Sequence, residues 1–312
     1  MLIEDLHVVL KVAECKSITA AASQLDMRTA TASAALKRVE NALGFELFIR
    51  TTRQLRLSTA GERYIPQCEQ ALSMLEQAGQ NMKDDLDIIE GELRIAISSD
   101  LGRNLVIPWL DEFMETYPDI RLKVYISDSN IDLYRDNIDM ALRYGSAEDT
   151  NLYGFKICDA PIMLCASPEY LEKNSTPENP ENLKSHNGLF YQLYDITHDV
   201  WTFTHNHADY KIKMKGNRAS NDGDLVRRWC TTGKGLAIKS CIDMSNELLS
   251  GQVVNIMPEY KPASTELWLI CPSKQSITPA VRLLRDMFKT KTRSIFDKLI
   301  SAGVLAENIE RD

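Results

Sequence analysis

Residues 19–40 read TAAASQLDMRTATASAALKRVE, and seven of these twenty-two positions are alanine. Ser17 or Thr19 can cap a short helix running to Leu25, since a hydroxyl at that place accepts from a backbone N–H of the first turn. Asp26-Met27-Arg28 then makes a turn, and a second helix runs from about Thr29 to Leu43, stopped by Gly44. Along it Ala32, Leu36, Val39 and Leu43 lie within about 60° of one another, a single apolar stripe. The opposite wedge holds Ala30, Ser33, Ala34, Lys37, Arg38 and Asn41. Small side chains let the two helices cross closely and keep the second one thin.

Outward from this pair, Leu6, Val9, Leu10 and Ala13 form a helical stripe upstream. Downstream, GFELFIR and RQLRLS are two short β-prone runs that make a small hairpin. Two helices joined by a tight turn and followed by a hairpin wing predict a winged helix-turn-helix over residues 1–60. Residues 59–88 then read as one long helix, opened by the capping-box pattern Thr59-x-x-Glu62 and containing Pro66, which predicts a kink near 62–66. Its residues Ile65, Cys68, Leu72, Leu75, Gly79, Met82 and Leu86 keep the 3-4 spacing of a coiled-coil seam. That spacing favours a partner helix at 61–90; the alternative is packing onto its own domain.

From Gly91 the pattern alternates. RIAIS, RLKVYIS, DMALRYG, APIMLCAS, YKIKMKG, GLAIKS, QVVNIM and TELWLICP read as strands, with helices at 103–116, 130–137, 223–232, 243–250 and 279–301. TPENPENLKSHN (176–187) reads as a surface loop. The expected class is α/β: an all-α winged domain and long linker helix, then an α/β domain over 91–312.

Charge separates these regions. The chain carries a formal net charge of −8, yet residues 28–56 hold six Lys/Arg against two Asp/Glu. Local charge decides contact with phosphates, so the acidic total does not exclude nucleic acid. The seven cysteines are an odd number with no CxxC pair, the usage of a reducing compartment. No apolar run approaches a membrane span and no secretory signal precedes the first helix, so a cytoplasmic protein without membrane contact is expected.

The runs Val12-Ala13-Glu14, Ser17-Ile18-Thr19-x-Ala21-Ala22, Leu43-Gly44, Leu47-Phe48-x-Arg50 and Leu57-Ser58-x-Ala60-Gly61, with Leu25, Ser33, Leu36, Glu40 and Arg53 between, strongly resemble the LysR-type bacterial transcriptional regulators. GELRIAIS, PWLDEFMETYPDIRL, IDMALRYG, ASPEYL and TTGKGLAI extend the likeness to the effector domain of that family. The resemblance implies two periplasmic-binding-protein-like subdomains, one over 91–162 and 265–312 and the other over 163–264. It implies homodimers through 61–90 that assemble into tetramers, double-stranded promoter DNA and RNA polymerase as partners, and a small-molecule effector in the cleft. It implies neither enzymatic activity nor a cofactor, and no motif of the GxSxG, HExxH or paired-carboxylate kind is present.

The helix starting at Thr29 offers unpaired N–H groups and a partial positive charge to DNA, with Ser33, Lys37 and Arg38 beside its exposed face. The resemblance adds Thr29, Ala30, Ser33 and Ala34 as major-groove contacts, Arg53 as a wing contact to minor groove or phosphate, and Arg50 as support for the wing; Arg28, in the turn, completes this set. Many members carry Gln at position 29 and Arg, Lys or His at 34, so Thr29 and Ala34 remove a bidentate base readout worth about 1–3 kcal/mol. Methyl contacts and DNA shape are then expected to carry more of the specificity.

In the second domain, ligands of open α/β folds bind beyond the carboxyl ends of strands. That rule selects Ser98, Ser99, Asp100 and Leu101 after RIAIS, and Ser127 and Asp128 after RLKVYI. Asp100 is alternatively just a helix cap. Arg143 can hold an anion or pair with a local acid. Asn221, Asp222 and Gly223 face the cleft in the family arrangement. Weaker readings are a redox pair (Cys158 with Cys165, or Cys230 with Cys241), metal binding by His198, His205 and His207 with Asp195 and Asp209, and a solute-binding protein without DNA function.

Overall fold

A computed structural model describes residues 2–50, 55–82, 89–129, 133, 136–145, 152–193 and 196–306. The chain divides into two compact units, 1–82 and 83–312.

The first unit contains α1 (Ile3–Cys15), α2 (Ile18–Gln24), α3 (Thr29–Leu43), the antiparallel hairpin β1 (Phe48–Arg50) and β2 (Leu55–Leu57), and α4 (Thr59–Met82). The alanines divide between two jobs. Ala21, Ala22, Ala32 and Ala35 are fully buried where the helices cross, together with Val9, Val12, Leu36 and Val39, while Ala30 and Ala34 stay exposed. Ser17 is the cap of α2, its hydroxyl accepting from the Ala20 N–H at 3.2 Å, and Gly44 ends α3 in the left-handed region, φ 79°. Glu40 turns the chain into the wing by accepting from the Leu47 and Phe48 N–H groups at 2.7 and 3.3 Å.

The long helix starts differently from the capping box read at Thr59. Ser58 is the capping residue: its hydroxyl accepts from the Gly61 N–H at 2.9 Å and donates to the Glu46 carbonyl at 2.7 Å. A Cβ on Gly61 would lie 2.1 Å from the Leu47 carbonyl oxygen. In an open helix Gly→Ala gains about 1 kcal/mol. Here the clash dominates, and Gly61→Ala is expected to destabilise the unit by about 1–3 kcal/mol, the cost of overpacking, in urea unfolding. The seam of α4 is also shared. Ile65, Cys68 and Leu72 are buried within the chain and Ile65 joins the winged-helix core, whereas Leu75 is 58% exposed. Packing on its own domain therefore accounts for Ile65, and the exposed Leu75 remains for a partner.

The second unit is built from β3 (Gly91–Ile97), α5 (Ser99–Leu101), α6 (Ile107–Thr116), β4 (Ile120–Ile126), β5 (Met140–Tyr144), β6 (Tyr153–Ala160), β7 (Ile162–Ala166), α7 (Pro168–Asn174), β8 (Asn187–Leu193), β9 (Ile196–Thr197), β10 (Val200–His205), β11 (Ala208–Lys213), β12 (Lys215–Ser220), α8 (Gly223–Thr231), β13 (Ala237–Ser240), α9 (Ser245–Ser250), β14 (Val254–Asn255), β15 (Lys261–Pro262), β16 (Thr265–Cys271) and α10 (Pro279–Ser301). A π-helical turn at Gly102–Val106 joins α5 to α6 without a break. A five-stranded sheet has the order β4-β3-β5-β16-β6, parallel across β4-β3-β5 and antiparallel beyond. Three smaller sheets, β11-β10-β15, β12-β8-β9 and β13-β7-β14, form the other half.

The chain passes from the large sheet to the smaller ones at Pro161 and returns between Pro262 and Thr265. Strand β7 is sided by its period of two: Met163 and Cys165 join the large core, Leu164 and Ala166 the core around Phe203 and Trp201. The YKIKMKG run is not one strand, because Met214 buries itself and β11 and β12 on either side enter different sheets. The loop expected at 176–187 contains a 3-10 turn, Pro180–Ser185, anchored by fully buried Leu183. Most of the helix expected at 130–137 lies outside the described residues. No described helix is long and apolar enough to cross a membrane.

Candidate functional site

The exposed side of α3 carries Thr29, Ala30, Ala34 and Lys37, with Arg28 just ahead of it and Ser33 half-buried at its margin. The Arg28 side chain makes no capping bond, and the first N–H groups of a helix have no partner within it. This end of α3 therefore presents amide hydrogens, methyl groups and a cation, with no bulky side chain to keep a duplex away. Arg38 is less available than its position implied. It makes a two-pronged ion pair with Asp5, Nε to Oδ2 at 3.0 Å and Nη2 to Oδ1 at 2.5 Å, fastening α3 to α1. That contact holds the buried Asp5 carboxyl below the usual carboxylate range. Arg38 is still 54% exposed, but its first task is to position α3. Arg50 ends β1, and Arg53 lies outside the described residues.

In the second unit the side chains at the strand ends bond to one another. The Asp128 carboxylate, in the turn after β4, accepts from the Ser99 N–H through Oδ1 at 2.6 Å. Its Oδ2 accepts from the Ser99 hydroxyl at 2.5 Å and the Gly223 N–H at 2.7 Å. The Asp224 N–H donates to the Ser99 hydroxyl oxygen at 3.3 Å. Asp222 caps α8 by accepting from the Leu225 N–H at 3.0 Å, and its other oxygen takes the Arg103 guanidinium at 2.8 Å. Ser98 precedes α5 with its hydroxyl buried and without a hydrogen-bond partner among the described residues. Ser127 and Ser129 share a hydroxyl contact at 2.6 Å, and Arg143 donates to the Ser129 carbonyl at 2.9 Å. Asn221 is exposed.

Two residues singled out as effector contacts face inward instead. Leu101 is fully buried in the large apolar core. Asp100 is not the helix cap, a position held by Ser98: it sits in the first turn, 3% exposed, ion-paired with Lys239 and accepting from the Asn104 amide at 2.9 Å. Around it lies a charged network that the sequence reading missed. Lys239 also faces Asp243 and donates to the Gly223 carbonyl at 3.1 Å; Tyr144 donates to Asp243 at 2.7 Å; Arg227 reaches Asn104 at 3.1 Å and pairs with Glu247. The lone lysine inside the otherwise uncharged GLAIKS was the available signal, since a buried ammonium demands carboxylates. Burial and the neighbouring Asp243 push the Asp100 carboxyl up to about 7 against the opposing pull of Lys239. Burial also raises Asp243. Desolvation acts to lower Lys239, but Asp100 and Asp243 outweigh it and hold the lysine charged. Tyr191 was missed as well: its hydroxyl donates to the Asp128 carbonyl at 3.2 Å and its ring stacks on His198.

The thiols considered for a redox pair are all buried. Burial pushes Cys158 and Cys230 up to about 12 and raises Cys165 and Cys241 strongly, which disfavours the thiolate form at each. The HNHAD segment is a hairpin turn between β10 and β11, in which His205 packs on Tyr260 and its Nδ1 lies 3.0 Å from the Glu259 carbonyl. No group of His, Cys, Asp or Glu among the described residues is arranged to hold a metal.

Residues 3–62 match the family model "Bacterial regulatory helix-turn-helix protein, lysR family", and residues 88–293 match "LysR substrate binding domain". The chain belongs to the LysR family of bacterial transcriptional regulators. It is 32% identical over 273 residues to the HTH-type transcriptional activator TtdR of Escherichia coli strain UTI89, covering 86% of each chain. It is 30% identical over 289 residues to the HTH-type transcriptional regulator DmlR of Escherichia coli K12, covering 92% of this chain and 94% of that one. The structure of CrgA, a LysR-type regulator from Neisseria meningitidis, superposes with a TM-score of 0.60 at 28% identity over 92% of this chain and 98% of CrgA. As a LysR regulator the chain joins a promoter-binding winged domain to an effector-binding α/β domain, and the family forms oligomers.

Proposed function

We propose that this regulator reads promoter DNA with the N-terminal half of α3 in the major groove and Arg53 of the wing beside it. A small polar molecule bound among Ser98, Ser127, Arg143 and Tyr191 would change its transcriptional output. One observation carries the DNA reading: α3 buries Ala32, Ala35, Leu36 and Val39 and turns Thr29, Ala30, Ala34 and Lys37 outward. That arrangement is narrow, cationic and free of bulk where a groove must admit it. The proposal further places the protein in the cytoplasm, without enzymatic activity or cofactor, acting on RNA polymerase as a homotetramer. Burial disfavours the thiolate at the core cysteines, and that supports an effector-driven reading over a cysteine switch.

The test is a gel shift with the DNA upstream of the protein's own gene at low salt. A retarded band whose affinity falls linearly with the logarithm of salt is expected; no band with or without metabolites would remove the DNA reading. Self-association is assigned to the exposed distal seam of α4. Leu75→Asp is expected to convert the oligomer to a smaller species in light scattering, since a charge in an a/d seam opposes pairing.

A further inference from the structure

The strand-end site holds a carboxylate that belongs to the chain itself. Asp128 uses both oxygens, one taking the Ser99 N–H and the other the Ser99 hydroxyl and the Gly223 N–H, all within 2.5–2.7 Å. Three donors converging on two oxygens is the way a carboxylate is gripped when charge-assisted bonds do the holding. Ser99 opens the continuous helical run Ser99–Thr116, and Gly223 opens the nine-residue α8.

The grip also spans the two halves of the domain. Ser99 and Asp128 belong to the half with the five-stranded sheet, Gly223 to the other. Further bonds cross beside it, among them the Asp224 N–H to the Ser99 hydroxyl at 3.3 Å, the Tyr191 hydroxyl to the Asp128 carbonyl at 3.2 Å and the Arg103 guanidinium to Asp222 at 2.8 Å. The turn that carries Asp128 is itself tied down, through the Ser127–Ser129 hydroxyl contact and the Arg143 bond to the Ser129 carbonyl.

We propose that Asp128 is a tethered ligand: its carboxylate fills the receptor made by Ser99 and Gly223, latches the two halves together, and must withdraw before a carboxylate from solution can bind there. A group on so short a tether competes at an effective concentration of about millimolar or above. A free monocarboxylate, making only the same three bonds, therefore does not displace it at micromolar levels. An effector that opens the latch must add contacts elsewhere, and Arg143, which holds the turn, is the positioning residue through which such contacts would act. The latch stands on the contacts of Asp128 and does not depend on the promoter reading.

Removing the side-chain carboxylate leaves a space of the shape of formate, which makes the test specific. In the full-length chain, Asp128→Ala is expected to lower the thermal midpoint by several degrees. Millimolar sodium formate should then raise it, sodium chloride of equal ionic strength should not, and the wild type should respond to neither. Adding Ser99→Ala to that variant should abolish the formate response. Asp128→Asn keeps the shape but turns an N–H₂ group toward donors, so it should also lower the midpoint. A folded Asp128→Ala chain responding to formate no more than the wild type does, or an Asp128→Asn chain with the wild-type midpoint, overturns the latch. An alanine variant that folds only in formate supports it. Either outcome leaves the promoter gel shift of the wild type untouched, so the two readings fail separately.

Discussion

Lys239→Met lowers the stability of the effector-binding domain by about 3–5 kcal/mol at pH 8, the cost of leaving buried charges unpaired, and the loss shrinks toward pH 5. The lysine side chain is 9% exposed and stands between two carboxylates that are themselves buried, Asp100 and Asp243. A methionine of similar length fills the volume but leaves the two acids facing each other. The pH dependence follows from their protonation. Burial has already raised both above the ordinary value near 4, Asp100 to about 7, so between those limits the folded chain binds more protons than the unfolded one. The stability contributed by Asp100 therefore grows as pH falls from about 7 toward 4 and is lost as pH rises through the folded value. Asp243, raised in the same direction, acts with the same sign. Without the lysine their pKa values climb further, and the deficit relative to wild type is greatest at high pH. Urea unfolding of both proteins at pH 8 and pH 5 measures this; a deficit equal at both values contradicts the shared-lysine account.

Ala34→Glu abolishes promoter binding, with a loss of more than about 100-fold, since like charges pressed together cost several kcal/mol. The side chain leaves α3 on the exposed face between Ala30 and Arg38, where the proposed duplex presents its phosphates and base edges. The fold tolerates the change. Glutamate is nearly as good a helix former as alanine, and four residues ahead of Arg38 it sits in a favourable spacing for an ion pair. The expected result is an unchanged thermal midpoint with binding gone, read by fluorescence anisotropy on promoter DNA. Unaltered affinity would take this face of α3 out of the interface. Ser33→Ala, half-buried at the margin, should cost far less, and less than Arg53→Ala in the wing.

The winged domain was legible because its signals are local. A 3.6-residue period sorts Ala32, Leu36 and Val39 from Ala30 and Ala34, and a single glycine at 44 ends the helix by adopting a backbone that other residues avoid. Local signals misled where two residues competed for one task. Thr59 and Glu62 have the capping-box spacing, yet Ser58 takes the cap because its hydroxyl can also reach the Glu46 carbonyl across the wing. Strands β6, β8 and β10 were missed for a related reason: β8 starts with Asn-Gly, which reads as a turn, and the burial of β6 does not alternate cleanly.

By itself the sequence determined the family, the order of winged domain, long helix and α/β domain, and the strand ends at which polar groups gather. Those features rest on spacing within a few turns of chain. Tertiary structure alone decided what those polar groups do. Asp128 meets Gly223 across 95 positions of sequence and Ser99 across 29, and Asp100 meets a lysine more than a hundred residues away. Whether a carboxylate serves as a ligand site, a latch or a buried counter-ion depends on which donors the fold brings within about 3 Å of it, and no local pattern encodes that distance.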